Sequence, residues 1–257
     1  TDVQLRAGAT YYGNTVLSAS DSFTWEVTGG IGTITESGKF TSAKVTKLTE
    51  GTIEVSYGET TASIPVTVSP ANPFSDTKGH WAETYINDLY FEGTLTGSAG
   101  KDGKLLYRPD DSMTRQEFIV ALMRYLGTDL GNYSSASLPF ADTGKIGTWA
   151  LDAVKAAYSL GYLGGSKENG KLYANPTATI TRQEAMVILA RSQNLTDGGS
   201  SSLSGFSDAS KVADWAKASL AAMVDRRIIG GSNGKLNPTG KVTRAEVAKM
   251  LWALENS

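Results

Sequence analysis

Three arginines occupy one position of a repeated tetrapeptide: Arg115 in TRQE (Thr114–Glu117), Arg182 in TRQE (Thr181–Glu184) and Arg244 in TRAE (Thr243–Glu246). Thr at an N-cap with Glu at N3 is a capping box, in which the hydroxyl accepts from the N3 amide and the carboxylate from the N-cap amide. That accounts for Thr114, Thr181 and Thr243 and for Glu117, Glu184 and Glu246; losing one such cap costs roughly 1 kcal/mol. The arginines are different. At N1 a cation faces the positive end of the helix dipole, which is unfavourable by a few tenths to about 1 kcal/mol. One such residue would be a solvated side chain, but three at the same position point to a compensating anion. Free amides at a helix N-terminus beside a guanidinium would receive a carboxylate or a phosphate.

Other chemistries find less support. The three glutamates could pair as glycosidase carboxylates, but capping already explains each. His80 is the single histidine, so His-based triads are not expected; it is read as a surface residue at a helix start. Cysteine is absent, which excludes disulfides and thiolate metal sites. No metal cluster, nucleotide loop or EF-hand is legible, and Asp102-Gly103 is too little for calcium. The expectation is a non-catalytic chain with no cofactor and no metal. A net charge of −2 without a basic run argues against nucleic acid. No apolar run approaches the roughly 18 residues a membrane span needs, so no membrane insertion is expected. The hydrophobic fraction of 40% and charged fraction of 19% are ordinary for a globular protein. The first residue is Thr1, not methionine, and no signal peptide is visible, so the chain is expected to be a fragment of a longer protein.

The elements that would hold the arginines come from an internal repeat. Phe74-Ser75-Asp76, Phe140-Ala141-Asp142 and Phe206-Ser207-Asp208 open the copies. Trp81, Trp149 and Trp215 precede Gly97, Gly165 and Gly231 by 16 positions each, and Pro109, Pro176 and Pro238 precede the TRxE threonine by five. Only the glycine-to-proline interval varies, at 12, 11 and 7 positions, and it carries a turn dipeptide each time: Asp102-Gly103, Asn169-Gly170, Asn233-Gly234. Apolar stripes such as Trp81, Tyr85, Ile86 and Leu89, or Phe118, Ala121, Leu122 and Tyr125, have helical spacing. Each copy therefore reads as helix, tight turn with short strands, and a second helix begun by TRxE. Two short helices could hardly bury their own stripes, so the copies are expected to pack into one pseudo-threefold domain.

The repeated residues admit two readings each. Trp81, Trp149 and Trp215 begin helix stripes and so suit core packing, although an indole beside a groove could offer a platform to a sugar. Gly97, Gly165 and Gly231 would end the first helix in a left-handed conformation or let a ligand approach the backbone. Asp76, Asp142 and Asp208 suit capping or turn formation. Lys104, Lys171 and Lys235 are read as solvated, with a groove-lining role for an anionic polymer as the alternative.

Residues 1–69 have another texture. Phe23, Trp25 and Val27 alternate with Thr24 and Glu26; Ile53, Val55 and Tyr57 form a second alternating run, and Ala62, Ile64, Val66 and Val68 a third. This period of two marks half-buried strands, with Gly58-Glu59 as a two-residue hairpin loop, and predicts a small antiparallel β-sandwich. Ser69-Pro70-Ala71-Asn72-Pro73 reads as a stiff linker. The domains expected are 1–69, a linker over 70–73, and repeats over 74–126, 140–193 and 206–254. The run WEVTGGIGTITESGKFT (Trp25–Thr41) followed by EGTIEVSYG resembles bacterial Ig-like domains, with a spacer role and a first strand absent.

The repeats resemble S-layer homology (SLH) motifs. The family pattern opens with aromatic-x-Asp and Trp-Ala (Trp81-Ala82, Trp149-Ala150, Trp215-Ala216). It passes through G-x-x-x-G (Gly93…Gly97, Gly161…Gly165, with Arg227 for the first glycine in copy three) and ends in P-x-x-x-x-T-R-A-E. The resemblance covers about 74–254. It implies a mixed fold: the Ig-like β-sandwich, then a mainly α three-pronged spindle around a central helical bundle. It further implies a monomer located outside the cell, at the cell wall or S-layer of Gram-positive bacteria and their relatives. The implied partner is a secondary cell wall polymer whose terminal pyruvylated N-acetylmannosamine sits in grooves between prongs, its ketal carboxylate held partly by Arg115, Arg182 and Arg244, with Gly97, Gly165 and Gly231 at the groove. Trp81, Trp149 and Trp215 and Asp76, Asp142 and Asp208 complete the candidate carbohydrate-binding set. Gln116 and Gln183 replace the family alanine, which would alter groove contacts. The alternative function is protein–protein assembly in a surface-layer lattice.

Overall fold

Alternating strands and capped helices divide the chain into two compact units, Thr1–Pro73 and Phe74–Ser257. The structure is a computed structural model and describes residues 1–11, 14–16, 23–195 and 197–255; the stretch 17–22 of the expected sandwich lies outside the described residues.

The first unit holds strands β1 (Asp2–Gln4), β2 (Ala9–Tyr11), β3 (Asn14–Val16), β4 (Thr24–Val27), β5 (Gly32–Ile34), β6 (Lys39–Ser42), β7 (Thr49–Tyr57) and β8 (Thr60–Val68). They form two three-stranded antiparallel sheets, β1–β6–β5 and β4–β7–β8, and a β2–β3 hairpin. Tyr57 pairs with Thr60 across the Gly58-Glu59 loop. Ile31, Phe40, Ile53 and Val68 are buried together. Of the third apolar run, Val66 and Val68 are covered but Ala62 and Ile64 are exposed. This four-residue core does not extend to the outer half of β8, which is an edge strand.

The second unit contains six α-helices among its described residues. Repeat 1 has α1 (Glu83–Phe91), a hairpin of β9 (Ser98–Ala99) and β10 (Leu105–Leu106), and α2 (Arg115–Tyr125). Repeat 2 has α3 (Leu151–Ser159), β11 (Ser166–Glu168), β12 (Lys171–Tyr173) and α4 (Arg182–Ser192). Repeat 3 has α5 (Asp214–Asp225) and α6 (Arg244–Glu255), with a bridge from Ser232 to Lys235 between them. One large apolar core runs through all three repeats.

The first helix of each repeat stops in a Schellman motif: Thr94 N donates to Leu89 O, Tyr162 N to Ala157 O, and Ile228 N to Met223 O. The left-handed residues there are Gly93 (φ 83°), Gly161 (φ 78°) and Arg227 (φ 59°). The glycines expected to end these helices, Gly97, Gly165 and Gly231, lie four positions further on. Gly165 (φ 70°) and Gly231 (φ 67°) are left-handed as expected, though they do not end the helices, and what all three positions require is room. A Cβ on Gly97 would stand 2.4 Å from the Phe74 ring, one on Gly165 2.6 Å from Phe140, and one on Gly231 2.8 Å from Phe206.

Backbone hydrogen bonds join the repeats in a closed ring. Met113 N donates to Val242 O, Val242 N to Ile180 O, and Ile180 N to Met113 O, at 3.0–3.1 Å. In each repeat the second helix packs on the first helix of the next, α2 on α3, α4 on α5 and α6 on α1.

Candidate functional site: three clefts between the repeats

The capping boxes start α2, α4 and α6 as the sequence predicts. Thr114 N donates to Glu117 Oε2 at 2.8 Å, Thr181 N to Glu184 Oε2 at 2.8 Å and Thr243 N to Glu246 Oε2 at 2.9 Å.

The helix amides, however, are not free. The N1 and N2 amides of each helix donate to carbonyls of the next repeat in the ring: Arg115 and Gln116 to Ala178 and Pro176, Arg182 and Gln183 to Gly240 and Pro238, Arg244 and Ala245 to Asp111 and Pro109. The expectation of an anion seated on free helix amides is therefore overturned. The acceptors lie 55 or more residues away in sequence, where no local pattern announces them.

The guanidinium groups are also partly engaged. Arg115, largely buried, donates Nε to Ala174 O at 2.9 Å and pairs Nη1 with Glu184 at 3.0 Å. Burial lowers its pKa, opposed by the Glu184 and Asp142 carboxylates. Arg182 donates Nε to Leu236 O at 3.0 Å and pairs Nη1 with Glu246 at 2.7 Å. Arg244 instead donates Nε to Tyr107 O at 2.7 Å and Nη2 to Thr96 O at 2.8 Å, and stacks 4.5 Å from the Tyr107 ring centroid. It has no ion pair with Glu117, the counterpart of Glu184 and Glu246.

Each arginine nevertheless borders a cleft, and the three clefts share one plan. Cleft 1 lies along the turn and second helix of repeat 1 and takes Arg244 from repeat 3 and Trp149 from repeat 2. Cleft 2 lies along repeat 2 and takes Arg115 from repeat 1 and Trp215 from repeat 3. Cleft 3 lies along repeat 3 and takes Arg182 from repeat 2 and Trp81 from repeat 1. Gly97, Gly165 and Gly231 line clefts 1, 2 and 3 in turn. At about 290, 360 and 310 Å³ the clefts fall at the small end of ligand pockets, about 300–1,000 Å³.

The tryptophans correct their core-packing reading: Trp81, Trp149 and Trp215 are 55%, 58% and 56% exposed. Each stands just before or at the start of its helix, so the apolar stripe inferred from spacing begins one residue later, at the buried Ala82, Ala150 and Ala216.

Asp76, Asp142 and Asp208 do not line the clefts. Each carboxylate accepts from two consecutive backbone amides: Tyr107 and Arg108 for Asp76, Ala174 and Asn175 for Asp142, Leu236 and Asn237 for Asp208, at 2.7–2.9 Å. Desolvation would raise the Asp208 pKa, but its two amide partners hold it below the ordinary carboxylate value. Gln116 and Gln183 do not face the clefts either. Their Oε1 atoms accept from Gly147 N at 2.9 Å and Ala213 N at 3.0 Å, each in the next repeat. Lys104 is exposed and pairs with Asp102.

Further cations stand in the clefts that sequence reasoning did not single out. Arg108 and Arg124 border cleft 1, Arg191 cleft 2 and Lys249 cleft 3. A signal existed: Arg124 and Arg191 both follow the TRxE threonine by ten positions. Among the described residues no group of carboxylate or imidazole side chains suits a metal ion, and no helix is long and apolar enough to cross a membrane.

A family model described as S-layer homology domain matches residues 73–119, 139–186 and 205–248. The chain is 31% identical over 185 residues to an amylopullulanase of Thermoanaerobacterium thermosulfurigenes, covering 70% of this chain and 9% of the relative. It is 30% identical over 192 residues to a surface-layer 125 kDa protein of Lysinibacillus sphaericus (73% and 15%) and 29% identical over 174 residues to the S-layer protein EA1 of Bacillus anthracis (67% and 19%). The chain thus spans less than a fifth of the length of each of these relatives.

Proposed function

Taking as premise that this chain belongs to the S-layer homology domain family, we propose that it is a non-catalytic anchoring module that holds a larger protein at the bacterial cell wall. Its ligand is a secondary cell wall polymer, bound through pyruvylated N-acetylmannosamine ends. The observation that carries this reading is the repeated plan of the clefts. An exposed indole from one repeat and an arginine from another converge on the turn and helix of a third. An indole face suits the apolar face of a sugar ring, and a guanidinium suits a carboxylate. Arg115, Arg182, Arg244, Trp81, Trp149, Trp215 and the cleft glycines form the proposed binding set. Asp76, Asp142 and Asp208 support it from behind, by shaping the segment before each proline.

The relatives support an anchoring role. An amylopullulanase and a surface-layer protein share this segment, so it is expected to do something other than the activity either name describes. Several weak sites on one polymer network gain by avidity. In this reading the three repeats are arranged about a pseudo-threefold axis as prongs of a spindle in a monomer, and the β unit is an Ig-like spacer.

The test is co-sedimentation with purified cell walls, using the wild type and an Arg115→Ala/Arg182→Ala/Arg244→Ala variant checked for folding by circular dichroism. Binding is expected to be lost in the variant. Undiminished binding by a folded triple variant refutes the role of the arginines. Free pyruvylated N-acetylmannosamine should release the wall-bound wild type, whereas a protein-mediated lattice contact would resist it.

A further inference from the structure

Arg108 breaks a local rule. Its counterparts in repeats 2 and 3 are Asn175 and Asn237, and all three residues sit in the left-handed region, at φ 57°, 50° and 51°. Asparagine tolerates that conformation; arginine has no such preference. Asn175 uses the position to donate Nδ2 to Ser166 Oγ at 2.9 Å. Arg108 keeps the equivalent bond, from Nη1 to Ser98 Oγ, and adds a positive charge at the mouth of cleft 1. Two more guanidinium groups converge on the same strip of backbone: Arg124 donates to Thr96 Oγ1 at 3.4 Å and Arg244 to Thr96 O at 2.8 Å.

None of these three arginines is ion-paired. In clefts 2 and 3 one cation of each pair, Arg115 or Arg182, is neutralised by a glutamate, which leaves Arg191 and Lys249. The carboxylates facing cleft 1 are Asp111 at its exposed rim and Glu117, whose Oε2 is already held by the Thr114 amide and hydroxyl. Glu184 is held by its own cap in the same way yet still pairs with Arg115 through Oε1. What sets cleft 1 apart is therefore its third guanidinium and the absence of an ion pair on any of the three, which leaves each free to meet an anionic group of a ligand.

Building on the saccharide-binding reading above, we propose that cleft 1 is specific for a doubly anionic ligand end, a saccharide that carries its carboxylate and a second anionic group such as a phosphodiester. Clefts 2 and 3 take a single anion. Arg108 is the specificity-determining residue: Arg244 and Arg124 take the carboxylate, and Arg108, at the Ser98 end, takes the second charge.

Two probes test this: the methyl glycoside of N-acetylmannosamine 4,6-pyruvate ketal, with one charge, and the same glycoside carrying a methyl phosphodiester, with two. Each cleft has its own tryptophan, so indole N–H signals report occupancy site by site: Trp149 for cleft 1, Trp215 for cleft 2, Trp81 for cleft 3. The doubly charged probe is expected to bind at cleft 1 about tenfold more tightly than the singly charged one, the gain of one charge-assisted contact, and to gain nothing at clefts 2 and 3. Arg108→Asn should abolish that preference while weakening the singly charged probe less than about threefold, and Asn175→Arg should create the preference at cleft 2. Equal affinity of the two probes at cleft 1, or a preference that survives Arg108→Asn, overturns the proposal and leaves the saccharide-binding reading intact. If neither probe moves any indole signal, the saccharide reading fails and this proposal falls with it.

Discussion

Between repeats 1 and 2, Arg115 and Gln116 reach forward to Glu184 and Gly147; between repeats 2 and 3, Arg182 and Gln183 reach Glu246 and Ala213 in the same way. Between repeats 3 and 1 the corresponding residues are Arg244 and Ala245. Arg244 finds two carbonyls and the Tyr107 ring but no carboxylate, Ala245 has no side-chain amide to offer, and Gly79 N, the counterpart of Gly147 N, is taken by Glu83 Oε2 at 2.7 Å. Other contacts replace the missing clamps. Tyr107 is buried where repeats 2 and 3 have Ala174 and Leu236, and its hydroxyl donates to Arg244 O at 3.0 Å. Trp252 Nε1 donates to Asp88 Oδ2 at 3.2 Å, where the counterparts of Asp88 are Ala156 and Ala222. The backbone ring is common to all three junctions, so it sets the register, and the side-chain clamps can differ without disturbing it. The difference also shows a competition: a guanidinium that closes a junction by ion pairing is less available to a ligand, and the closing junction leaves its arginine unpaired.

The largest expected effect separates the two kinds of arginine by stability. Arg115→Ala removes one partner of a mostly buried pair and should lower the unfolding free energy in urea by about 3 kcal/mol. Arg244→Ala, which loses two bonds to carbonyls and the stack on Tyr107 but strands no carboxylate, should cost less, about 1.5 kcal/mol. Equal losses would erase the distinction. Glu184→Gln tests the competition directly. Glutamine preserves the capping box but releases Arg115, so the singly charged glycoside should bind at cleft 2 roughly three- to tenfold more tightly by titration of the Trp215 signal. Unchanged affinity would mean that the ion pair does not withhold the arginine.

A smaller effect lies in repeat 3, whose first helix ends on Arg227 at φ 59° where the other repeats have glycine. Arg227→Gly should raise stability by about 0.5–1 kcal/mol in thermal unfolding. A loss would show that the arginine side chain offsets its backbone strain.

The smallest effect concerns Asp88. Burial raises its carboxyl above the ordinary 3.8, opposed by the Trp252 bond. With the folded value raised, the ionised group destabilises the fold above that value, and the penalty vanishes once the pH falls below the unfolded 3.8. Asp88→Asn should therefore melt slightly higher than the wild type at pH 7 and alike at pH 3.5. A variant that is less stable at pH 7 would show the charge to be useful at the closing junction.

Much of the local structure was legible in advance because its causes are local. TRxE starts helices, Asn-Gly and Asp-Gly make turns, and repeat spacing places these elements in three copies. The family assignment rests on the same motifs. What the sequence did not reveal was set by neighbours distant along the chain. The helix amides of Arg115 and Gln116 are filled by Ala178 and Pro176, so an inference about free amides, sound for an isolated helix, fails here. Gln116 looked like a groove residue because its neighbour Arg115 was one, yet one step along a helix turns a side chain by about 100°, here toward Gly147. Trp81 read as core because its spacing extended a stripe that begins at Ala82. Arg108 carried no motif at all; its meaning emerges only when the left-handed backbone and the two asparagines are seen together.

The ring of Met113, Ile180 and Val242 also bears on how far the module can be shortened. A piece with two repeats would leave one of these amides and one carbonyl unmatched at its cut faces, with a pair of helix amides stripped of their acceptors and an apolar helix face uncovered. The smallest truncation expected to fold by itself is therefore the full triplet, which makes three the unit in which such segments can be gained, lost or exchanged between proteins.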